Sequence, residues 1–228
     1  ERFIKRLDWY PDNFIWVIVV KYEKMQELKN RIIEYAKRLG FPIIKITDTR
    51  PFLLWKEAID YRKQIDPDTG SSWDKRKIQY DVNKLMPGAN SIIVGVRPYM
   101  PYSTYFPQGY ARYSAHYSQY PQGRAAMGEL AKLLKNEGYE ALVDAPIPVK
   151  AAAHRSSVGY FGKNGVIHTK EYGSFITLHT ILTDAGLPID EGYDKITDCG
   201  DCNKCINACP TEAIGENGAV IQSRCIRY

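Results

Sequence analysis

The run CGDCNKCINACPTEAI, from Cys199 to Ile214, holds four of the five cysteines in the chain. The spacing is C-x2-C-x2-C-x3-C, and Pro210 follows directly. This is the ferredoxin pattern for a [4Fe–4S] cluster, because short gaps let the chain wrap a cubane with consecutive thiolates on different irons. Disulfides are disfavoured because the thiols crowd one loop, and zinc sites usually use two separated C-x-x-C pairs. The run therefore predicts iron ligation by Cys199, Cys202, Cys205 and Cys209.

The fifth cysteine, Cys225, bears on the number of clusters. In two-cluster ferredoxins the fourth cysteine of such a run ligates the other cluster. Cys225 follows Val220–Arg224, which we interpret as the second strand of a ferredoxin-like module. Five cysteines cannot supply two clusters of four thiolates each. Either four of the five hold one cluster, or the sequence lacks its C-terminal part, and we expect the second. Cys225 is counted among the predicted metal ligands.

The rest of the chain is typical of a globular protein. Of its 228 residues 44% are hydrophobic and 25% charged, which excludes disordered and fibrous classes. The longest apolar run, Phe14–Val20, is too short to cross a bilayer and predicts a buried strand. No secretory signal is visible, so we expect a cytoplasmic protein without membrane contact. A net charge of +5 is compatible with an anionic partner such as tRNA.

Alternating helical and strand patterns predict an α/β (α+β) domain over residues 1–188. Apolar residues at three- and four-residue steps from Met25 to Leu39, followed by Gly40, indicate an amphipathic helix, and Arg124–Asn136 indicates another. The predicted strands are Phe41–Ile46, Ser91–Val96, Tyr139–Val143 and Ser174–Leu182. Composition changes after Asp184–Pro188, so residues 189–228 form a predicted iron–sulfur domain, incomplete at its C-terminus.

Several further motifs resemble those of the epoxyqueuosine reductases. They stand in that family's order over about residues 25–228: Leu85–Val94, Lys150–Gly165, Tyr172–Phe175, Leu182–Asp184, the cysteine run and Arg224–Ile226. The resemblance implies a nitroreductase-like α/β domain that holds cobalamin and a ferredoxin-like domain whose clusters deliver electrons to its cobalt. The reaction it implies is reduction of an epoxide on a modified tRNA base to the alkene, which forms queuosine. A low-potential electron donor such as ferredoxin or flavodoxin is expected with it.

The resemblance also assigns residues to the cobalamin site. They lie in the glycine motif and just after it: Arg155, Gly159, Tyr160, Gly162, Lys163, Asn164 and Ser174. Glycines remove side chains where backbone could approach a bulky ligand, and Lys163 and Asn164 offer hydrogen-bond donors. None of His116, His154, His168 and His179 lies in the D-x-H-x-x-G arrangement that gives cobalt a lower histidine ligand. We expect each of these histidines to be structural.

The resemblance places a proton-donating aspartate shortly before the glycine motif. Asp144, in Val143–Pro148, is the match, although a one-residue gap is needed to align it. A carboxyl in an apolar pocket has a raised pKa and donates a proton near neutrality. The alternative donors are Tyr113, Tyr117 and Tyr160. A second departure is Ser157, which stands where the family has glycine.

Two other functions remain open on the sequence. One is reductive dehalogenation of a small organohalide, because the reductive dehalogenases are related corrinoid enzymes. The other is a ferredoxin-like electron carrier whose large domain docks a partner without a corrinoid. The tyrosine-rich segment from Tyr99 to Tyr120 fits a large planar ligand, stacked bases or a packing layer equally well. The sequence does not fix the oligomeric state.

Overall fold

The structure is a computed structural model, and it describes residues 12–67, 77–99, 108, 115–190, 199–215 and 219–226. The helices in this part of the chain are α1 (Asp12–Arg38), α2 (Leu53–Ile65), α3 (Ala115–Asn136), α4 (Val149–Arg155) and α5 (Lys204–Asn207). The strands are β1 (Ile43–Thr47), β2 (Ser91–Pro98), β3 (Ala141–Val143), β4 (Tyr160–Phe161), β5 (Ile167–His168) and β6 (Ile176–Thr183). Short 3₁₀ helices cover Val82–Lys84 and Gln222–Arg224.

A four-stranded antiparallel sheet with the order β1-β2-β6-β3 forms the centre of the fold. Strands β2 and β6 are the inner pair, and their register sets Val94 opposite Thr180 and Gly95 opposite His179. Side chains alternate between the two faces of a strand. Thr180 and His179 therefore lie on opposite faces of β6, at the middle of the sheet.

Each face of the sheet carries its own apolar cluster. Helices α1 and α3 cover one face, where the buried residues include Leu28, Ile32, Phe41, Ile46, Ile93, Met127, Leu130 and Ile181. Helix α4, the β4–β5 hairpin and the start of α2 cover the other, where the buried residues include Phe52, Ile92, Val94, Val96, Ala152, Ala153, Ile167 and Leu182. The result is a three-layer α/β arrangement with the sheet in the middle.

Most of the elements predicted from periodicity are confirmed. The helix ending near Leu39 is the second half of α1, and Gly40 follows it with φ of 87°, a left-handed conformation suited to glycine. The four predicted strands correspond to β1, β2, β3 and β6. The helix predicted over Arg124–Asn136 is confirmed and begins earlier, at Ala115.

The strand predicted at Phe14–Val20 is wrong, because these residues lie inside α1. A short run of β-branched residues cannot be distinguished from a helical segment by periodicity alone. No glycine or proline separates this run from the amphipathic pattern that follows, so the helix continues through it. Val19 and Val20 are 46% and 43% exposed, which no buried strand would show.

The C-terminal segment has less regular structure than the sequence predicts. Val220 forms a single antiparallel bridge with Ile214, whereas Gln222–Arg224 is a 3₁₀ helix rather than a strand. None of the described helices combines the length and apolar character that a bilayer span requires. The division at residue 188 stays a prediction.

The chain leading to the cysteines is anchored on the edge of the sheet. The Asp190 amide donates to the Ile46 carbonyl at 2.8 Å, and the Ile46 amide donates to Oδ2 of Asp190, also at 2.8 Å. Lys29 on α1 forms an ion pair with Asp190 at 3.1 Å and donates to the Pro188 carbonyl at 2.9 Å. These contacts fix where the segment after the sheet begins.

Candidate active site and cysteine segment

Asp144 lies in the turn between β3 and α4, with a left-handed backbone of φ 46°. Aspartate is one of the few residues besides glycine that adopt this region, because its short side chain bonds locally. The Asp144 amide donates to the Thr180 carbonyl at 2.8 Å, and the Thr180 amide donates to Oδ1 of Asp144 at 3.0 Å. This reciprocal pair holds the carboxyl group against β6.

The second carboxylate oxygen of Asp144 faces side chains from two other elements. The Tyr120 hydroxyl, on α3, donates to Oδ2 at 3.2 Å, and Nδ1 of His179, on β6, lies 3.2 Å from the same oxygen. The side chain of Asp144 is 7% exposed and that of His179 is fully buried. The rings of Tyr120 and His179 are 4.5 Å apart. We call Asp144, Tyr120 and His179 the Asp144 cluster.

The hydrogen bonds of the Asp144 cluster set its charge. Burial raises the pKa of Asp144, but hydrogen bonds from His179, the Thr180 amide and Tyr120 outweigh burial and hold this pKa below its ordinary value. Burial and the neighbouring carboxylate raise the pKa of Tyr120 to about 12. Asp144 is therefore ionised at neutral pH, whereas Tyr120 keeps its proton. The expected rise in the Asp144 pKa is wrong, because β6 and α3 present hydrogen-bond donors to the carboxylate where an apolar pocket was expected. The role of Asp144 as an acid stays a prediction.

Thr180 contributes its backbone to this site, while its side chain faces the other way. Within the described part of the chain its hydroxyl oxygen is buried without a hydrogen-bond partner. It lies on the sheet face that carries the apolar cluster containing Val94 and Leu182. A buried hydroxyl that makes no hydrogen bond is destabilising by about 1–3 kcal/mol.

Thr180→Val is therefore expected to raise the free energy of unfolding by about 1 kcal/mol, because it removes the unpaired hydroxyl and keeps the side-chain shape. Urea denaturation measures the change. Thr183→Val is the matched control on the same strand, since the Thr183 hydroxyl donates to the Glu140 carbonyl at 2.6 Å and accepts from the Ala185 amide at 3.2 Å. The control is expected to lose about 1–3 kcal/mol. The reverse ranking of the two variants would contradict this reading of Thr180.

The glycine motif forms the tight β4–β5 hairpin. A Cβ atom at Gly159 would collide with the carbonyl oxygen of His168, and one at Gly162 would come within 2.6 Å of Nε2 of His168. Gly165 has φ of 70° and makes the turn. The open space predicted beside Gly159 and Gly162 is thus taken up by the hairpin itself. Their assignment to a cofactor stays a prediction.

Arg155, at the end of α4, makes its contacts within the fold. Its guanidinium donates to Oδ1 of Asp48 at 3.0 Å and to the Arg50 carbonyl at 2.7 Å. The same group lies 3.8 Å above the ring of Phe52. Arg155 therefore joins α4 to the segment that precedes α2.

Lys163 connects the hairpin to the cysteine segment. Its ammonium group donates to the Gly200 carbonyl at 2.8 Å and to Oδ1 of Asn203 at 2.9 Å. Both acceptors lie between the first cysteines of the run, so Lys163 fixes that loop against the α/β fold. The ammonium group of Lys163, predicted to serve a cofactor, thus connects the hairpin to the cysteine segment.

The remaining predicted cofactor residues are also near the hairpin. Oδ1 of Asn164 accepts from the Val166 amide at 3.2 Å and lies 3.3 Å from Nε2 of His168. The ring of Tyr160 stacks on that of His168, with centroids 5.6 Å apart. Ser174 is half-buried just before β6. Asn164 and Tyr160 thus pair with His168 inside the hairpin.

Ser157, which stands where the family pattern has glycine, has a backbone conformation that favours glycine. Its φ is 61°, in the left-handed region, where glycine carries no steric cost and other residues cost about 1–2 kcal/mol. Ser157→Gly is expected to raise the free energy of unfolding by about 0.5–1 kcal/mol, because the relief of strain exceeds the added entropy of the unfolded chain. Chemical denaturation measures the change.

Ser156→Gly is the control for that measurement. The neighbouring Ser156 has φ of −88°, is fully buried, and its hydroxyl donates to the Ala153 carbonyl at 3.2 Å. Glycine at this position loses the hydrogen bond and gains unfolded-state freedom, so the protein is expected to be less stable. Equal effects of the two glycines would remove backbone strain at Ser157 as the explanation.

None of the five cysteines forms a disulfide, and Cys202 is the most exposed of them. Helix α5 contains Cys205 and leads to Cys209, whose sulfur accepts a hydrogen bond from the Ala213 amide at 3.3 Å and lies 3.7 Å from the Thr211 hydroxyl. These hydrogen bonds lower the pKa of the Cys209 thiol, and the bond with the Thr211 hydroxyl makes the largest contribution. Together they outweigh the effect of burial. A thiolate supported by amide hydrogen bonds is suited to iron–sulfur ligation.

Within the described ranges, no three cysteine, histidine or carboxylate side chains are close enough together to hold a metal ion. The chemistry of the donor set nevertheless fits a cluster, because four cysteines that form no disulfide lie in one short loop and the sulfur of Cys209 already accepts an amide hydrogen bond. Cluster ligation therefore stays a prediction that the thiol chemistry supports.

Some predictions fall on residues that the structure does not describe. Tyr113 lies outside the described residues, and so do the side chains of His116 and Tyr117. Most of the tyrosine-rich segment is in the same position. Two shallow grooves between α1 and α3, of about 390 and 370 Å³, are lined by side chains of these helices and contact neither the Asp144 cluster nor the cysteines.

Tyr120 and His179 are the neighbours of Asp144 that sequence reasoning did not place beside it. Tyr120 was one tyrosine among many, and His179 was expected to be structural. One signal was available: His179 follows Thr177 at a two-residue step in a strand, which places two polar side chains on one buried face. The contact with Asp144 depends on the turn after β3 and was not predictable.

No protein-family model matches the chain. Among curated proteins, the chain is 31% identical to the epoxyqueuosine reductase of Aliivibrio fischeri over 89% of its own length and 58% of the relative. It is 34% identical to that of Atelocyanobacterium thalassa over 69% of the chain and 53% of the relative. It is 30% identical to the epoxyqueuosine reductase of Escherichia coli, over 90% of the chain and 57% of the relative. The chain spans less than two thirds of the length of these relatives.

Solved structures give the same assignment of the fold. An epoxyqueuosine reductase from Bacillus subtilis, with its catalytic aspartate loop swung out of the active site, matches with a TM-score of 0.73 and 25% identity, over 89% of this chain and 56% of that one. An epoxyqueuosine reductase with a modified tRNA stem loop matches with a TM-score of 0.70 and 24% identity, over 89% and 56%. A reductive dehalogenase matches with a TM-score of 0.60 and 17% identity, over 85% and 28%.

The chain therefore has the mixed α/β fold, built on an antiparallel sheet, that epoxyqueuosine reductases and reductive dehalogenases share. Within that group, it is related by sequence to the epoxyqueuosine reductase family.

Proposed function

We propose that this chain is the reductase portion of an epoxyqueuosine reductase, which removes the epoxide oxygen from a modified base in tRNA. The observation that carries the proposal is the sequence relationship, 31% identity over 89% of the chain in one relative. A related structure that holds an epoxyqueuosine-modified tRNA stem loop supports tRNA as the substrate. Action on tRNA suits a cytoplasmic protein.

Conversion of an epoxide to an alkene consumes two electrons and two protons and releases the oxygen as water. The Asp144 cluster is the group of residues suited to the proton transfers. Asp144 is proposed to meet the epoxide oxygen, while Tyr120 and His179 keep protons within hydrogen-bond distance of its carboxylate. The ionised carboxylate must take up a proton before it can donate one. Tyr120 and His179 are therefore proposed as the sources of that proton.

The cysteine run is proposed to supply the electrons. Cys199, Cys202, Cys205 and Cys209 would hold a [4Fe–4S] cluster, with Cys225 serving a further cluster or replacing one of the four. Such a cluster carries single electrons from a low-potential donor such as ferredoxin or flavodoxin. Lys163 supports this arrangement, because it ties the loop of the first two cysteines to the hairpin beside α4.

Cobalamin enters the proposal through the resemblance to the epoxyqueuosine reductases, and the B12-dependent reductive dehalogenase among the similar structures supports it. Three of the side chains assigned to it already bond within the chain: Arg155 and Lys163 donate to other segments, and Oδ1 of Asn164 accepts from the Val166 amide. No step of the proton chemistry above therefore passes through cobalamin. Its binding is a separate expectation, tested by anaerobic titration followed by visible absorption, with saturation at one cobalamin per chain as the expected result.

The function is tested with a synthetic epoxyqueuosine-containing tRNA stem loop. Anaerobically reconstituted protein, supplied with iron, sulfide, cobalamin and a chemical reductant, is expected to convert the base to queuosine, which mass spectrometry detects as loss of one oxygen. An unmodified stem loop is the control for binding, and a brominated phenol is the control substrate for dehalogenation. Product from the phenol alone would replace the proposed function with a dehalogenase. Intact cluster absorption without product from either substrate would favour an electron carrier.

A further inference from the structure

His179 is accommodated at a cost to the helix that faces it. The ring is completely buried and packs edge-on against Phe41, with centroids 5.8 Å apart. Gly123, inside α3, lies directly over the ring, and a Cβ atom there would collide with Nε2 of His179. Glycine inside a helix is less favourable than alanine by about 1 kcal/mol. The sequence therefore combines a destabilising glycine with a buried polar ring, although an apolar residue at 179 would fill the same layer.

Both ring nitrogens of His179 have partners. Nδ1 lies 3.2 Å from Oδ2 of Asp144, and Nε2 lies 3.3 Å from the hydroxyl oxygen of Thr177. That hydroxyl lies 3.3 Å from the Arg97 carbonyl. The Asp144 carboxylate only accepts hydrogen bonds, so Nδ1 carries a proton.

The Thr177 hydroxyl has one proton and two acceptors within reach. When it donates to Nε2, the imidazole is neutral. When it donates to the Arg97 carbonyl, its oxygen accepts from an Nε2 proton, and the ring is an imidazolium beside the Asp144 carboxylate. Rotation of one hydroxyl therefore lets the network gain a proton without leaving a buried polar atom unpaired.

We infer that His179 is a positioning residue that orients the carboxyl group of Asp144 and stores the proton that Asp144 delivers. The inference rests on the proposed function. In the charged state, Nδ1 passes its proton to Oδ2 of Asp144 and the ring becomes neutral. The carboxylic acid then gives that proton to the substrate oxygen and returns to carboxylate. One proton has moved from His179 to the substrate, and one proton from solvent restores the network.

The surroundings of the cluster are consistent with this role. From α3, the ionisable groups near it are the Tyr120 hydroxyl and the more distant Arg124. From β6, Thr177 and Thr180 contribute neutral hydrogen-bonding groups, and on the α1 side Phe41 is apolar. Among described groups, His179 makes the largest contribution that lowers the pKa of Asp144.

The coupling is measured without turnover, by following the ¹³C carboxyl resonance of Asp144 against pH, with Asp144→Asn to assign it. His179→Leu removes the Nδ1 donor, so the midpoint of the Asp144 titration is expected to move to higher pH. His179→Asn keeps an amide donor near the Nδ1 position and is expected to stay closer to wild type. Thermal denaturation of both variants verifies that the fold is retained. An unchanged Asp144 midpoint in folded His179→Leu would overturn the orienting role.

Turnover of the stem loop separates orientation from proton storage. His179→Asn is expected to lose at least about tenfold in kcat, with a changed pH profile, because an amide donates but does not store a proton. Full activity in this variant would overturn the storage role. If the His179 variants do not fold, Thr177→Val removes the rotating hydroxyl and is expected to alter the same pH profile, with an unaltered profile counting against the network. One combination of results separates the two proposals. If wild-type protein shows no turnover but His179→Leu still shifts the midpoint of the Asp144 titration, the proposed function is refuted and the orienting role of His179 is retained.

Discussion

Asp144→Asn is expected to lower the turnover of an epoxyqueuosine-containing stem loop by about 10²–10⁴-fold, the range for loss of a general acid. Asparagine keeps the size of the side chain, tolerates the left-handed φ of 46° and still accepts from the Thr180 amide. Iron content, cobalamin binding and the far-UV spectrum are therefore expected to stay at wild-type values. Single-turnover kinetics under anaerobic conditions measure the chemical step.

Asp60→Asn is the matched control for Asp144→Asn. Asp60 is a carboxylate on the exposed face of α2 that forms a surface ion pair with Lys56 at 2.6 Å. Its replacement is expected to change turnover less than about twofold, because a surface ion pair contributes little. Wild-type turnover in Asp144→Asn would remove this residue from the mechanism and leave Tyr120 as the candidate donor.

The same variant has a pH signature in stability. Because the pKa of folded Asp144 is depressed, its stabilising contribution is present above the pKa of the unfolded chain, about 3.9, and is lost as pH falls from there through the folded value. Wild-type protein is therefore expected to lose unfolding free energy more steeply than Asp144→Asn on acidification below about pH 4–5. Urea titrations at a series of pH values measure the two slopes.

Cys202→Ala is expected to abolish binding of the iron–sulfur cluster. It removes one of four thiolates from a loop of only a few residues, and a [4Fe–4S] cluster needs a ligand at each iron. Iron after anaerobic reconstitution is expected to fall from about four atoms per chain to near none, with loss of the visible absorption. The α/β fold should persist, because its apolar clusters contain none of the cysteines.

Ser223→Ala serves as the control for the cysteine variant. Ser223 is in the same segment and bonds to Asp66 through its backbone amide at 3.0 Å, so the loss of its hydroxyl leaves that contact intact. It is expected to bind iron as wild type does. Cys225→Ala then decides whether the fifth thiol takes part. Full cluster absorption in Cys202→Ala would exclude the predicted ligand set.

Much of the architecture followed from local pattern. Apolar spacing predicted the second half of α1 and most of α3, and β-branched runs predicted the two inner strands, because these elements bury one face or both. The prediction failed at Phe14–Val20, where a short apolar run is equally compatible with a helix. Periodicity carried no information there, and continuity with the following helix decided the outcome.

The site was less accessible to sequence reasoning. Asp144 was identified by its position before the glycine motif, but its ionisation was predicted with the wrong sign, because donors from Tyr120 and His179 are distant in the chain. Gly159 and Gly162 were assigned to a cofactor site, whereas in the structure each packs closely against His168, which leaves no room for a side chain. A motif shows which residue type occupies a position. Which neighbouring residue makes that type necessary is known only from the fold.

The sequence alone determined the residues that carry local chemistry, namely the four cysteines of the run with their fixed spacing, the apolar faces of the long helices and the inner strands. These properties depend on neighbours within a few positions along the chain. Tertiary structure alone decided that Lys163 holds the cysteine loop and that His179 lies behind Asp144 with a glycine making room for its ring. Such contacts join residues tens of positions apart, and their pairing is set by strand register and helix packing, which local patterns do not encode.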